Sequence, residues 1–224
     1  RLAAMGLNPK NALVDVTNYV MFELGNPLHA FDLREVEGDT VIVRNAEEGE
    51  TFTVLGGREL TLSANSLMIA DNKKATALAG IMGGKDSGIK DDTKDIFLEA
   101  AYFNPPTVNK TVKKFAISSD SSQRFERGTD IEGAMTAMRR ASDLFVQICG
   151  GTPSELNDVY PVKYENPTVM FTPAEINGIL GTQISDERLK EIFGRLAAEF
   201  HADGEKWTFK APTHRREENH KTKK

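Results

Sequence analysis

Two side chains with acid–base capacity stand out by the company they keep. His29 follows an Asn26-Pro27 turn among Leu28, Ala30 and Phe31, and Glu99 lies between Leu98 and Ala100 in an apolar run. An imidazole titrates near ~6.5 and can take or give a proton at neutral pH. A carboxylate among apolar residues either points outward by strand alternation or is buried in order to recognise something, and alternation by itself favours the outward direction. Thr17 and Asn18 break an apolar helical stripe with small polar groups, while Ser119 and Ser121 lead into Arg124-Phe-Glu-Arg-Gly128. Such groups suit the placement of water or of a polar ligand. Each also has a plainer use: Thr and Asn in a helix can bond to nearby backbone, and a histidine beside phenylalanine can simply pack.

Other chemistries find less support. His29 and Asp32 are three apart, but no second histidine is spaced to complete a metal site. Ala79-Gly80-Ile81-Met82-Gly83-Gly84-Lys85-Asp86 has the look of a phosphate loop, yet Ala79 stands where the first glycine is needed. Asp86 stands where Ser or Thr would hold magnesium. No Ser/His/Asp or Cys/His pattern for covalent catalysis is evident. His201, His214 and His220 fall late in the chain and are expected at the surface.

The elements that must hold these residues can be read from periodicity. Leu13, Val16, Val20, Met21 and Leu24 recur at helical spacing, and Gly25 is a natural stop. Arg1–Gly6 resembles the last turns of a helix, so the chain is expected to begin inside a larger protein. Thr40–Arg44, Thr51–Leu55, Leu67–Ala70, Ala75–Ile81 and Ile96–Ala100 read as strands. Pro105-Pro106 opens a helix to about Phe115. Ile131–Cys149 is the clearest helix, with Met135, Met138, Ala141, Leu144, Phe145 and Ile148 as a core stripe and Cys149 expected to pack inertly.

Strands first and helices afterwards, without strict alternation, give an α+β fold: a mixed-sheet domain over residues 1–162, a linker at 163–167, and a small incomplete α+β module over 168–224. In that module Val169–Phe171 and Trp207–Phe209 read as strands. Helices are expected from Pro173 and after Ser185, a good N-cap. The last residues, from about Glu217, are expected to be unfolded.

The chain has 224 residues, 39% of them hydrophobic, which supports a packed core. Cys149 is the single cysteine, so there is no disulfide framework. No apolar run approaches the ~20 residues that span a bilayer, and no secretory leader is visible; a cytoplasmic location is expected. The net charge of −5 argues against a broad grip on a nucleic-acid backbone. If RNA is a partner, only its end should reach this chain.

Four segments in order, Val14–Asp32, Ala77-Leu-Ala-Gly-Ile-Met-Gly-Gly84, Phe97-Leu-Glu-Ala-Ala-Tyr-Phe103 and Ser119-Asp-Ser-Ser-Gln-Arg-Phe-Glu-Arg-Gly128, resemble the β subunit of bacterial phenylalanyl-tRNA synthetases at its editing module. The resemblance covers almost the whole chain, ending in the opening of the next module. It implies hydrolysis of the ester that joins tyrosine to the terminal adenosine of phenylalanine tRNA.

By that resemblance Thr17, Asn18 and His29 handle water and ribose, with His29 as base or as positioning group. Backbone at Ala79 and Gly80 lines the amino-acid pocket, Glu99 reads the phenolic hydroxyl, and Ser119 and Ser121 form another wall. Relatives often carry Ala or Gly at the position of Ser121. The partners implied are the aminoacylated 3′ end of tRNA(Phe) and a synthetase α subunit in an α2β2 assembly. ATP and magnesium belong to the parent enzyme and bind elsewhere. The competing expectation is a non-catalytic module for assembly and tRNA docking. The chemical logic favours editing: an apolar pocket excludes one extra hydroxyl by only about 10², whereas a second site can require it.

Overall fold

The first helix begins where Asn11, in an extended conformation, accepts a hydrogen bond from the Val14 amide. It ends where Gly25 turns left-handed at φ 77° and donates its N–H to the Met21 carbonyl. This helix, α1 (Ala12–Leu24), leads directly into β1 (Leu28–Asp32). The arrangement is that of a computed structural model describing residues 1–196 and 199–215. The chain divides into two units, Arg1–Leu156 and Asn157–Lys224. The expectation for the residues after Glu217, and that for His220, lie outside the described residues.

In the first unit the strands after β1 are β2 (Ile42–Asn45), β3 (Thr51–Thr53), β4 (Glu59–Thr61), β5 (Leu67–Ala70), β6 (Ala75–Leu78), β7 (Met82–Gly83) and β8 (Ile96–Ala100). The helices α2 (Pro105–Phe115), α3 (Asp120–Phe125) and α4 (Gly133–Cys149) follow. The α+β class stands. Among the described residues, however, every strand pairing is antiparallel, where a mixed sheet was expected. The connections explain this for the hairpin pairs. Parallel neighbours need crossovers of a dozen residues or more, whereas β3 to β4, β5 to β6 and β6 to β7 are joined by short turns.

The strands form a four-stranded sheet in the order β2-β5-β6-β7, a β3–β4 hairpin and a β1–β8 ribbon. The ribbon is the element that matters for the site. Its register pairs Leu28 with Ala100, His29 with Glu99, Ala30 with Leu98 and Phe31 with Phe97. Because successive side chains alternate between faces, one face carries Leu28, Leu98 and Ala100. These pack with Val16 and Val20 of α1 and Ala137, Ala141 and Phe145 of α4. The opposite face carries His29, Phe31, Phe97 and Glu99, and its two phenylalanines join the larger core under the sheet, with Met68, Leu78, Ile81, Phe103 and Phe125. The ribbon is thus sandwiched between two cores.

Two expectations for α4 need correction. Ile148 is 60% exposed and Cys149 is exposed, so neither is core. The buried stripe of α4 is Ala137, Ala141 and Phe145, and the last turn extends past it.

The second unit has β9 (Thr168–Phe171), α5 (Pro173–Leu180), α6 (Asp186–Arg195), β10 (Glu199–Asp203) and β11 (Lys206–Lys210), with the strands in the order β10-β11-β9. Both helices start as the sequence suggests. Thr172 and Glu175 form a capping box with Pro173 in the first turn, and Ser185 accepts from the Arg188 amide. Trp207, 1% exposed, sits among Phe171, Phe193 and Phe200. His201 and His214 are exposed.

Candidate active site

A cavity of about 60 Å³ opens on the side of the ribbon away from α1 and α4. The ribbon contributes His29 and Glu99. The β6–β7 turn contributes Leu78, Gly80, Ile81 and Met82, and α3 contributes Ser121 and Phe125. Phe103 completes the wall, edge-on to Phe125 at a centroid distance of 4.9 Å.

Of the eight residues singled out in the sequence, His29, Gly80, Glu99 and Ser121 line this cavity. Gly80 takes φ 70°, and a Cβ there would lie 2.7 Å from Cδ2 of Phe103. Both conformation and space therefore call for glycine. Ala79 is buried beside it and donates its N–H to the Leu67 carbonyl. Ser119 is an N-cap: its Oγ accepts from the Ser122 amide and donates to the Ile81 carbonyl at 2.7 Å. It fastens α3 to the β6–β7 turn. Thr17 is buried and spends its hydroxyl on the Val14 carbonyl, the plainer use foreseen for a helical threonine. Asn18, one residue on, is half-buried and its amide has no hydrogen-bond partner among the described residues.

The electrostatics of the ribbon pair are unusual. His29 Nε2 and Glu99 Oε2 are both shielded from solvent, and neither has a hydrogen-bond partner among the described residues. Burial pushes the His29 imidazole down to about 4 and the Glu99 carboxyl up to about 8. In each case the low-dielectric surroundings disfavour the charged form, so at neutral pH both groups are uncharged. His29 also lies against backbone, since a Cβ on Gly83 would come within 2.8 Å of its Cε1. Sequence reasoning gave no site role to Gly83, Phe103 or Phe125. Their signal was their presence in the same short motifs as Gly80, Glu99 and Ser121.

Asp32, at the end of β1, belongs to a different arrangement. It is fully buried and accepts from the Arg34 amide, from Nε and Nη2 of Arg34 and from Oγ1 of Thr93. Among the described residues, no group of three His, Cys, Asp or Glu side chains is placed to hold a metal ion.

Residues 1–150 match the B3/4 domain family, and residues 169–222 match the tRNA synthetase B5 domain. The chain belongs to the B3/4 domain family. Its relatives include the phenylalanine–tRNA ligase beta subunit of Geobacter sulfurreducens, 44% identical over 197 residues, which cover 88% of this chain and 25% of that protein. The beta subunit of Hahella chejuensis is 41% identical over 220 residues, covering 96% of this chain and 28% of its own. The crystal structure of an N-terminal fragment of the phenylalanyl-tRNA synthetase beta subunit from Pyrococcus horikoshii superimposes with a TM-score of 0.41 at 13% identity, covering 91% of this chain and 60% of that one. The B3/4 and B5 domains follow one another as in the β-subunit stretch expected from the sequence. The chain spans about a quarter of the length of the curated relatives it matches.

Proposed function

We propose that the B3/4 domain of this chain is the editing hydrolase of a phenylalanine–tRNA ligase β subunit, cleaving the ester of tyrosine wrongly attached to tRNA(Phe). The observation that carries this reading is Glu99: its carboxyl oxygen Oε2 is shielded from solvent and has no hydrogen-bond partner among the described residues, at the wall of a cavity otherwise lined largely by apolar side chains and backbone. Leaving such a group unsatisfied costs about 1–3 kcal/mol. A ligand hydroxyl that reaches it recovers that cost, and a phenylalanine ring does not. With its pKa near 8, Glu99 meets the phenol as a neutral acid, able both to donate and to accept.

The reaction itself asks less of the protein, because an aminoacyl ester is already activated. Asn18, with its free amide, is assigned to the terminal ribose or the attacking water. His29 keeps a free Nε2, but a pKa near 4 is far from the operating pH that favours a general base. Its role is therefore to hold water or substrate by hydrogen bonding. Thr17 supports Asn18 from within the helix, and Ala79, Gly80, Ser119 and Ser121 shape the pocket.

The partners that follow are the aminoacylated 3′ end of tRNA(Phe) and, for the whole subunit, a synthetase α subunit in an α2β2 enzyme of the cytoplasm. ATP and magnesium would serve the synthetic reaction away from this domain. Incubating the chain with Tyr-tRNA(Phe) and Phe-tRNA(Phe) tests the proposal: release of tyrosine should outpace release of phenylalanine. Equal rates for the two esters, matching spontaneous hydrolysis, would refute it.

A further inference from the structure

The four-stranded sheet is closed along one edge and open along the other. On the β7 side the β3–β4 hairpin covers it: the Leu55 amide donates to the Gly83 carbonyl and the Lys85 amide to the Thr53 carbonyl. At the opposite edge β2 is the last strand, paired among the described residues with β5 alone. Two hydrogen bonds fix which way its backbone faces. The Ser66 carbonyl accepts from the Ala46 amide, on the β2 side of β5, and the next carbonyl, of Leu67, accepts from the Ala79 amide on the other side. Antiparallel pairing alternates these directions residue by residue. The N–H and C=O groups of Ile42 and Arg44 therefore turn toward β5, and those of Val41 and Val43 turn outward. The outward groups have no partner among the described residues.

The side chains along this edge are as open as its backbone. Val43 is 62% exposed, and Val41 and Ile42 are each 37% exposed. Edge strands that face water are ordinarily blunted by Lys, Pro or a bulge, yet residues 40–45 include neither Lys nor Pro. The one cation on the strand, Arg44, is committed to Glu50 and to the Asn45 carbonyl. Acidic side chains stand at both ends, Asp39 before the strand and Glu47 after it. Both are exposed, and neither takes part in an ion pair among the described residues.

We infer that β2 is a docking edge for an extended segment of another polypeptide, with aliphatic residues beside Val41 and Val43 and Lys or Arg at its ends. Such a segment adds a strand to the sheet. Its backbone satisfies the outward groups, and its cations meet Asp39 and Glu47. Charge decides against a second copy of this chain as the occupant. Antiparallel pairing of β2 with itself brings the Asp39 end of each strand against the Glu47 end of the other, and facing like charges destabilise sheet pairs. No residue of β2 lines the cavity, so the inference stands apart from the editing reading.

The test is amide hydrogen exchange, read by NMR, on the 224-residue chain with and without the end-capped peptide Lys-Thr-Val-Thr-Val-Thr-Val-Thr-Lys. Its valines fall on one face of a strand, and its lysines have the sequence spacing of Asp39 and Glu47. The N–H groups of Val41 and Val43 should become protected, while those of Ile42 and Arg44, already turned to β5, change little. Replacing both lysines of the peptide by glutamate should weaken binding roughly tenfold, the scale of two surface ion pairs turned repulsive. Val43→Pro removes an outward N–H that β5 does not use, so the chain should fold as before and lose the peptide. Val43→Lys, at an exposed position, leaves the backbone intact and should weaken binding of the lysine peptide by repulsion. Equal binding of the two peptides, or protection that avoids β2, would overturn the inference. Protection of Val41 and Val43 that appears without peptide and grows with chain concentration would make the occupant a second copy, and would overturn the choice of partner.

Discussion

His29 and Glu99 face each other across a single rung of the β1–β8 ladder, each with a buried polar atom that has no partner among the described residues. The same burial moves their titrations in opposite directions, to about 4 and about 8. Near neutral pH the polar end of the cavity is therefore uncharged. It suits a hydroxyl better than an ion.

That pairing has a pH signature. The folded pKa of Glu99 is raised, so its contribution to stability is complete below the unfolded value near ~4.5 and is lost as pH rises through about 8. The slope is at most about 1.4 kcal/mol per pH unit. His29 works the other way: its folded pKa is depressed, and stability falls as pH drops below ~6.5 toward 4. Between pH 6.5 and 8 only the Glu99 effect remains of the two. Glu99→Gln should be more stable than the parent chain in that interval, by a margin that widens with pH, as measured by urea denaturation. A margin that stays constant from pH 5 to 8 would contradict the burial of this carboxyl.

Gly80 and Gly83 should resist even alanine, for different reasons. At Gly80 the backbone is left-handed and a Cβ meets Phe103, so Gly80→Ala is expected to cost about 1–3 kcal/mol. At Gly83 the obstacle is the imidazole of His29 at 2.8 Å. Gly83→Ala should displace that ring, visible as a change in the His29 NMR signals, with a smaller loss of stability. Unperturbed His29 signals in a folded Gly83→Ala chain would count against this packing.

The Asp32 cluster should separate buried from exposed electrostatics. Asp32 is fully buried, while Asp92, the other carboxylate on Arg34, is 72% exposed. Asp32→Ala should cost about 2–3 kcal/mol through its lost charged hydrogen bonds, whereas Asp92→Asn should leave the denaturation midpoint nearly unchanged. Hydrogen bonds from Arg34, followed by the one from Thr93, hold the Asp32 carboxyl well below the usual range. Its contribution should be complete above about pH 3.8 and drain away as pH falls further. Equal effects of the two substitutions would contradict the assignment.

Much of this was legible in the sequence where a local device sets the structure. The stop of α1 at Gly25, the cap at Ser185, the helix start at Pro105 and the strand at Ile96–Ala100 each need only neighbouring residues. Glu99 was ambiguous because its strand is covered on both faces, so Phe97 and Leu98 are both apolar and alternation carries no direction. The register that sets it opposite His29 joins segments about 70 residues apart, and local pattern says nothing of that. Cys149 was misjudged because the apolar stripe of α4 continues at helical spacing past the point where its buried residues end. The short strands at Glu59–Thr61 and Glu199–Asp203, flanked or filled by polar residues, gave no pattern to read.

The most direct test of the editing account is the selectivity of Glu99→Ala, measured as deacylation of tyrosyl, meta-tyrosyl and phenylalanyl tRNA(Phe) by the assembled ligase carrying that change. If Glu99 reads the hydroxyl, the variant should lose about tenfold or more on the tyrosyl ester, on the scale of one buried polar contact, while phenylalanyl tRNA is hydrolysed at the parent's rate. An equal slowing of all three esters, or no change in any, would contradict the account.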